Sequence, residues 1–202
     1  MQLYPFDREP LIEEPKSRSR RIAISVAIVL FVVVLAIAAA LLVKYYVIDT
    51  FTVDGISMYP TLDGGNGANS DSDENNGETL FLNKLAKVKR GDIVVFVPDK
   101  GSFAGRTLVK RVIAVGGDHV QIKDNAVYLN GTLLEETYIN TQEPVFYEQE
   151  LDFYVEEGNI FCMGDNRNHS SDCRVFGQVS LDTVIGKCFL IKGIDGKLRK
   201  AN

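Results

Sequence analysis

Tryptophan is absent, histidine occurs only twice and cysteine only three times. Each scarcity removes a class of chemistry. Three cysteines, Cys162, Cys173 and Cys188, cannot make a fully paired intrachain disulfide framework. Cys162 and Cys173 are the two that a loop could bring together, although spacing alone does not set the Cα separation a bridge needs. No Cys-x-x-Cys occurs, nor any His and Cys spacing that suits zinc, so neither a metal nor another cofactor is expected. His169 adjoins Ser170, and neighbours in an extended segment point to opposite sides, which argues against a Ser-His pair there. Both His169 and His119 read as surface or loop residues. The net charge of −5 contains no basic block, so nucleic acid is not an expected partner.

Long apolar character is concentrated in one place. Ile22 to Val43 (IAISVAIVLFVVVLAIAAALLV) carries no charge. At about 1.5 Å per residue it reaches about 33 Å as a helix, enough for a hydrocarbon core of about 30 Å. A cleaved signal peptide is the competing reading, but that needs an apolar region of about 7–15 residues and a small-residue ending. Here the run is longer, and Tyr45 and Tyr46 follow it, which suits an interfacial anchor. Lys16, Arg18, Arg20 and Arg21 precede the run and only Lys44 follows closely. The positive-inside rule then makes residues 1–21 a cytoplasmic tail, residues 22–43 a single transmembrane helix and residues 44–202 an extracytoplasmic domain at the plasma membrane. Three prolines and mixed charges make the tail read as disordered.

Beyond Thr50 no amphipathic helix of ordinary length is evident, and short apolar runs alternate with turn signals. Gly91–Pro98, Thr107–Val115, His119–Ile122, Ala126–Leu129, Asn159–Met163 and Val184–Ile191 read as strands. Asn130-Gly131 is a strong two-residue hairpin signal. These features predict a mainly β catalytic domain, an antiparallel barrel or sandwich, behind the single membrane helix. Gly64 to Glu78 (GGNGANSDSDENNGE) has four acids and no base and reads as a flexible acidic insertion. Its Asp-x-Asp-x-Asn start suggests a calcium loop, but Gly77 falls one position late and Leu82 stands where a glutamate ligand is needed.

Four segments carry chemistry. In Gly55-Ile-Ser57-Met58-Tyr59-Pro60-Thr61, glycine and proline flanks can hold a serine rigidly just beyond the membrane run. In Leu108–Val115, alternation sets Lys110 on one face with Leu108 and Val112, and Arg111 on the other with Val109 and Ile113. One of these adjacent cations must therefore be at least partly buried. A snorkelling lysine at a sheet edge is the plain reading. A desolvated amine is the functional one: burial lowers the pKa from about 10.4 toward a range where lysine takes a proton from a serine hydroxyl. Ser-Lys pairs of this kind replace the Ser-His-Asp arrangement. The segment Met163–Arg174 (MGDNRNHSSDCR) is rich in turn formers, and Asp165 with Arg167 and Asp172 with Arg174 can form charge-assisted pairs that stiffen it. Gly91–Phe96 is a turn entering a core strand.

In this order, the four segments resemble the motif set of type I signal peptidases. Ser57-Met58-x-Pro60-Thr61 is similar to the nucleophile box, Gly91-Asp92 with Val94–Phe96 to the next, Lys110–Ile113 with Gly117-Asp118 to the lysine box, and Gly164–Arg167 with Ser170, Asp172 and Arg174 to the last. The resemblance implies that Ser57 is the nucleophile and Lys110 the general base, that Ser170 hydrogen-bonds and orients the amine, and that Asp172 and Arg174 support the site, as do Met58 and Asp165 within their boxes. It implies exported preproteins with small-x-small (Ala-x-Ala-like) cleavage sites as substrates, and the bilayer and the secretion translocon as partners. Gly55 stands where Gram-negative members place a hydroxyl residue, leaving the oxyanion to backbone N–H groups such as that of Ser57. Cys173 replaces a usual serine. The single span and short outer domain resemble Gram-positive members. The endoplasmic-reticulum branch carries histidine where Lys110 stands. A relative specialised for a pilus or conjugation partner, or a catalytically silent membrane-tethered β module, are the competing readings.

Overall fold

The computed structural model describes residues 18–65 and 76–201. Residues 1–17 of the expected tail lie outside that range, as do residues 66–75, the greater part of the acidic insertion and of the calcium-loop reading. The chain divides into two compact units, one ending at Val43 and one beginning at Lys44.

Helix α1 runs Arg18–Tyr46. Its apolar residues are exposed on every face, which is the pattern of a helix whose solvent is lipid. Among the described residues it is the one helix long and apolar enough to cross a membrane. Lys44 occupies its last turn, where the carbonyl end of the helix dipole favours a cation.

Among its described residues the second unit has twelve strands: β1 (Ile48–Thr52), β2 (Thr79–Asn83), β3 (Ile93–Phe96), β4 (Leu108–Val115), β5 (His119–Lys123), β6 (Ala126–Leu129), β7 (Thr132–Leu133), β8 (Leu151–Tyr154), β9 (Asn159–Met163), β10 (Val179–Ser180), β11 (Val184–Lys192) and β12 (Leu198–Lys200). A large sheet has the order β1-β2-β11-β3-β4-β9-β10, with β12 on β11, and a small sheet has the order β7-β6-β5-β8. Every pairing is antiparallel. This is the mainly antiparallel β architecture that the short alternating runs predict. The only described α-helix in this unit is the short α2 (Cys173–Phe176).

Side-chain alternation decides where the core sits. Val94 and Phe96 of β3 pack into one apolar cluster with Val112, Val120, Ile122 and Phe161, whereas Ile93 and Val95 enter a second with Val53, Met58, Leu62, Leu82 and Val109. The large sheet is thus covered on both faces, and β3 is buried along its whole length. Lys110 follows the expected alternation between Val109 in one cluster and Leu108 and Val112 in the other. Ile113 does not. The register slips between Val112 and Ala114, and this bulge turns Ile113 into the same cluster as Val112 rather than to the side of Val109. The Asn130-Gly131 hairpin forms as the dipeptide predicts, with φ of 54° and 80° at its two central residues. All three cysteines are buried and free, so the Cys162–Cys173 bridge does not form.

Candidate active site

The serine segment is held by its neighbours rather than by a regular element. Tyr59 N–H donates to Ile56 O at 3.1 Å and Leu62 N–H to Met58 O at 2.9 Å, closing successive turns. Met58 and Leu62 are fully buried in the second cluster and anchor those turns to the sheet. Gly55, at φ 81°, adopts a conformation that other residues resist.

Ser57 Oγ lies 2.7 Å from Lys110 Nζ, a contact that joins residues 53 positions apart. The amine also donates to Val109 O at 2.9 Å and is only 3 % exposed. Its two close partners are neutral. Burial therefore pulls the Lys110 pKa below its ordinary 10.5, opposed in part by the nearby Asp172 carboxylate. Asp172 does not neutralise the amine directly, because its own oxygens are occupied. Arg174 Nε donates to Oδ1 and Arg174 Nη2 to Oδ2, each at 2.8 Å, and Gly164 N–H donates to Oδ2 at 2.9 Å. The Asp172–Arg174 pair thus forms as the residue types allow, and it ties the two ends of the 164–174 loop together.

The second cation of β4 has the opposite environment. Arg111 forks onto Asp165, with Nε to Oδ1 at 2.9 Å and Nη2 to Oδ2 at 2.7 Å. It also donates to Gly91 O and lies 4.1 Å over the Tyr138 ring. This corrects the expected Asp165–Arg167 pair. Arg167 turns away to Glu136 and donates to Tyr147 Oη at 2.6 Å and Gly164 O at 3.1 Å. The Asp165 and Arg167 side chains are both buried, but Arg111 on β4 presents the complementary fork to Asp165 while Glu136 takes the Arg167 guanidinium. Of two neighbouring buried cations, one has a carboxylate fork and the other has a hydroxyl and a carbonyl; Lys110 is the one whose proton is easily lost.

Ser170 departs from the expectation that it bonds to the lysine amine. Its buried Oγ has no hydrogen-bond partner among the described residues. It packs against Gly164, and a side chain at Gly164 would collide with both Ser170 and the carbonyl of Ser57. Neither histidine reaches this site: His119 pairs with Asp152 and His169 faces Glu143. No described cluster of three or more His, Cys, Asp or Glu side chains is placed to hold a metal ion.

A strap formed by residues 136–147 braces the loop from outside. Asn140 N–H donates to Asp165 O, Asn168 Nδ2 to Pro144 O, and Glu136 and Tyr147 take the Arg167 guanidinium. The sequence carries no signal for this strap, because Glu136, Tyr138 and Asn140 lie outside any strand, with a turn at residues 137 and 138, and no side-chain alternation applies. The Arg167 and Glu136 side chains are 1 % and 8 % exposed, so removing one partner strands a buried charge. Arg167→Met is expected to cost about 3–5 kcal/mol in a denaturant melt, against about 0–1 kcal/mol for Lys84→Met, which breaks the half-exposed Lys84–Asp49 pair. Equal losses would contradict this.

Inside an antiparallel β domain a serine hydroxyl thus contacts a buried lysine that, among the described residues, has no carboxylate partner. Comparison with known proteins narrows the class. The family described as signal peptidase, peptidase S26, matches residues 25–192. Signal peptidase I T of Bacillus subtilis is 34 % identical over 166 residues, covering 76 % of this chain and 78 % of that protein. Signal peptidase I of Bacillus amyloliquefaciens is 33 % identical over 166 residues, with 76 % and 78 % covered. A crystal structure of a signal peptidase I from Enterococcus faecalis is 31 % identical, covers 50 % of this chain and 97 % of its own, and superposes with a TM-score of 0.43. The chain belongs to the signal peptidase family, peptidase S26, and is a peptidase of the signal peptidase I type.

Proposed function

We propose that this chain is a membrane-tethered endopeptidase that removes signal peptides from exported preproteins, with Ser57 as nucleophile and Lys110 as general base. The observation that carries the reading is the 2.7 Å contact between Ser57 Oγ and a buried amine that has no carboxylate partner among the described residues. A neutral Lys110 takes the Ser57 proton as Oγ attacks the carbonyl carbon before the scissile bond. The resulting oxyanion accepts from the Ser57 N–H. As the C–N bond breaks, the ammonium returns its proton to the leaving amine, which becomes the new N-terminus of the mature protein. Water then adds to the acyl-serine, again losing a proton to Lys110. The ester bond breaks, Ser57 recovers its hydroxyl and the signal peptide leaves as a carboxylate. Ser170 Oγ, which has no other partner, is the acceptor we assign to the ammonium formed in each half-reaction. Asp172 and Arg174 hold the loop that carries it. Met58 seats the nucleophile turn in the core, and Asp165 neutralises Arg111 beside the base.

The substrate bond lies after a small-x-small sequence, and α1 tethers the enzyme to the plasma membrane where such preproteins leave the translocon. The basic residues before the span orient the N-terminus to the cytoplasm and the β domain outside. With the full chain in detergent, a preprotein ending its signal in Ala-x-Ala is expected to yield one product whose N-terminus begins after the second Ala. Replacing either Ala by a bulky residue is expected to block that product. Cleavage indifferent to those residues would contradict the substrate assignment.

A further inference from the structure

The oxyanion donor assigned above is one end of the Ile56–Ser57 peptide, and the structure contains a device acting on its other end. Asn166 is 4 % exposed and touches the nucleophile turn twice. Its side-chain Nδ2 donates to Ile56 O at 3.0 Å, and its backbone N–H donates to Ser57 O at 3.0 Å. One residue thus holds both carbonyls that flank the Ser57 Cα. Tyr59 N–H adds a second bond to Ile56 O.

A peptide unit is planar, and in the trans form its C=O and N–H point in opposite directions. Fixing Ile56 O from one side therefore fixes the Ser57 N–H on the other. Among the described residues no acceptor takes that N–H, whereas the carbonyls of Ile56, Ser57 and Met58 are each engaged. A donor left open while its own plane is clamped is the arrangement that electrostatic stabilisation of an oxyanion needs, because nothing reorganises when charge develops. The orientation of the Asn166 amide is itself set: Asn140 Nδ2 faces Asn166 Oδ1 at 3.3 Å, so the NH2 end is turned to Ile56 O. Gly55, where a side-chain hydroxyl could have supplied a second donor, offers none. The chain then depends more heavily on the aim of one backbone N–H.

We propose that Asn166 is a positioning residue for the oxyanion site, acting through the Ile56–Ser57 peptide and not on Lys110. The proposal rests on Ser57 being the nucleophile. Its signature is selective loss of transition-state binding. Asn166→Ala is expected to lower kcat by about 10- to 100-fold with little change in KM. The Ki of a peptide aldehyde, whose carbonyl adds the Ser57 hydroxyl to form a hemiacetal, is expected to rise by a comparable factor. The Ki of the matching peptide alcohol, which forms no oxyanion, is expected to stay. The midpoint of the pH–rate profile is also expected to stay, since the amine's surroundings are untouched.

Asn166→Asp keeps size and the backbone bond to Ser57 O while replacing the Nδ2 donor by an oxygen, and serves where Asn166→Ala does not fold. Wild-type kcat in a folded variant, equal weakening of aldehyde and alcohol, or a pH midpoint shifted in Asn166→Ala overturns the proposal; Asn166→Asp is read by kcat and Ki alone, because its added carboxylate raises the Lys110 pKa by itself. So does failure of both variants to fold, which assigns Asn166 to stability. Ser57→Ala run alongside separates the two levels. Residual cleavage there removes the nucleophile reading itself. An inert Ser57→Ala beside an unimpaired Asn166 variant removes only this inference.

Discussion

Lys110→Ala and Ser57→Ala are each expected to lower kcat/KM by at least about a thousandfold, and the double variant is expected to be no worse than either alone. Groups that pass one proton between them act as a unit, so losing the second after the first costs little. Lys110→Arg is expected to be as inactive as Lys110→Ala, because a guanidinium cannot lose its proton in the working pH range. The losses are not failures of folding. The lowered Lys110 pKa means that the unfolded chain binds the proton more tightly than the folded one. Below the ordinary value of 10.5, folding must either release that proton or bury a charge, so the amine withholds stability there. That cost fades as pH rises toward 10.5 and is gone only above it, where the amine is neutral in both states. Relative to the wild type, Lys110→Met is expected to melt at its most favourable temperature near neutral pH, with the difference shrinking on the alkaline side. A difference that grows with pH would mean that the amine is charged in its folded site.

Gly164→Ala is expected to cost at least about a hundredfold in kcat while leaving the fold intact. The added methyl would lie within 2.5 Å of Ser170 Cβ and closer still to Ser170 Oγ and to the Ser57 carbonyl oxygen. Ser170 can change rotamer to relieve part of the overlap. The Ser57 carbonyl cannot, since it is backbone and is held by Asn166 N–H at 3.0 Å. The nucleophile must therefore shift away from Lys110. Gly186→Ala is the matched control: its added carbon meets Leu82 Cβ at 3.0 Å on the large sheet and touches neither Ser57 nor Ser170. It is expected to lower the melting temperature and spare kcat. Gly164→Ala within about threefold of wild-type kcat would contradict the packing described here, given that a misplacement of about 1 Å costs about a hundredfold.

The parts of this molecule legible in its sequence are those written in local chemistry. That at least one of Lys110 and Arg111 is buried followed from alternation along an apolar strand; that both are was not legible there. The hairpin at Asn130-Gly131 followed from two residues that tolerate positive φ. Strands whose sequences are half polar or short were not seen: β1 (IDTFT) shows little alternation, and β12 (LRK) is exposed throughout and gains its place only by pairing with β11. The charge partners were the least legible. Asp165 was matched with Arg167 two residues away, yet it binds Arg111 across 54 positions, and Arg167 binds Glu136 across 31. Proximity in the chain favours nearby partners when counting residue types, whereas the fold selects whichever guanidinium arrives at the right angle. The role of Asn166, a residue within the Gly164–Arg167 box, was illegible for the same reason, its target Ile56 being 110 positions away. The unpartnered Ser170 hydroxyl is a further instance: a motif names the residue but not the rotamer.

The central claim is that Lys110 is neutral when it works. Its most direct test is kcat/KM against pH for the wild-type chain on a preprotein substrate. Activity is expected to rise as pH increases, with a single acidic-limb midpoint below 10.5, and to keep that midpoint when His119 and His169 are replaced. A profile that is flat across this range, or whose midpoint moves with the histidines, would contradict the assignment of Lys110 as the base.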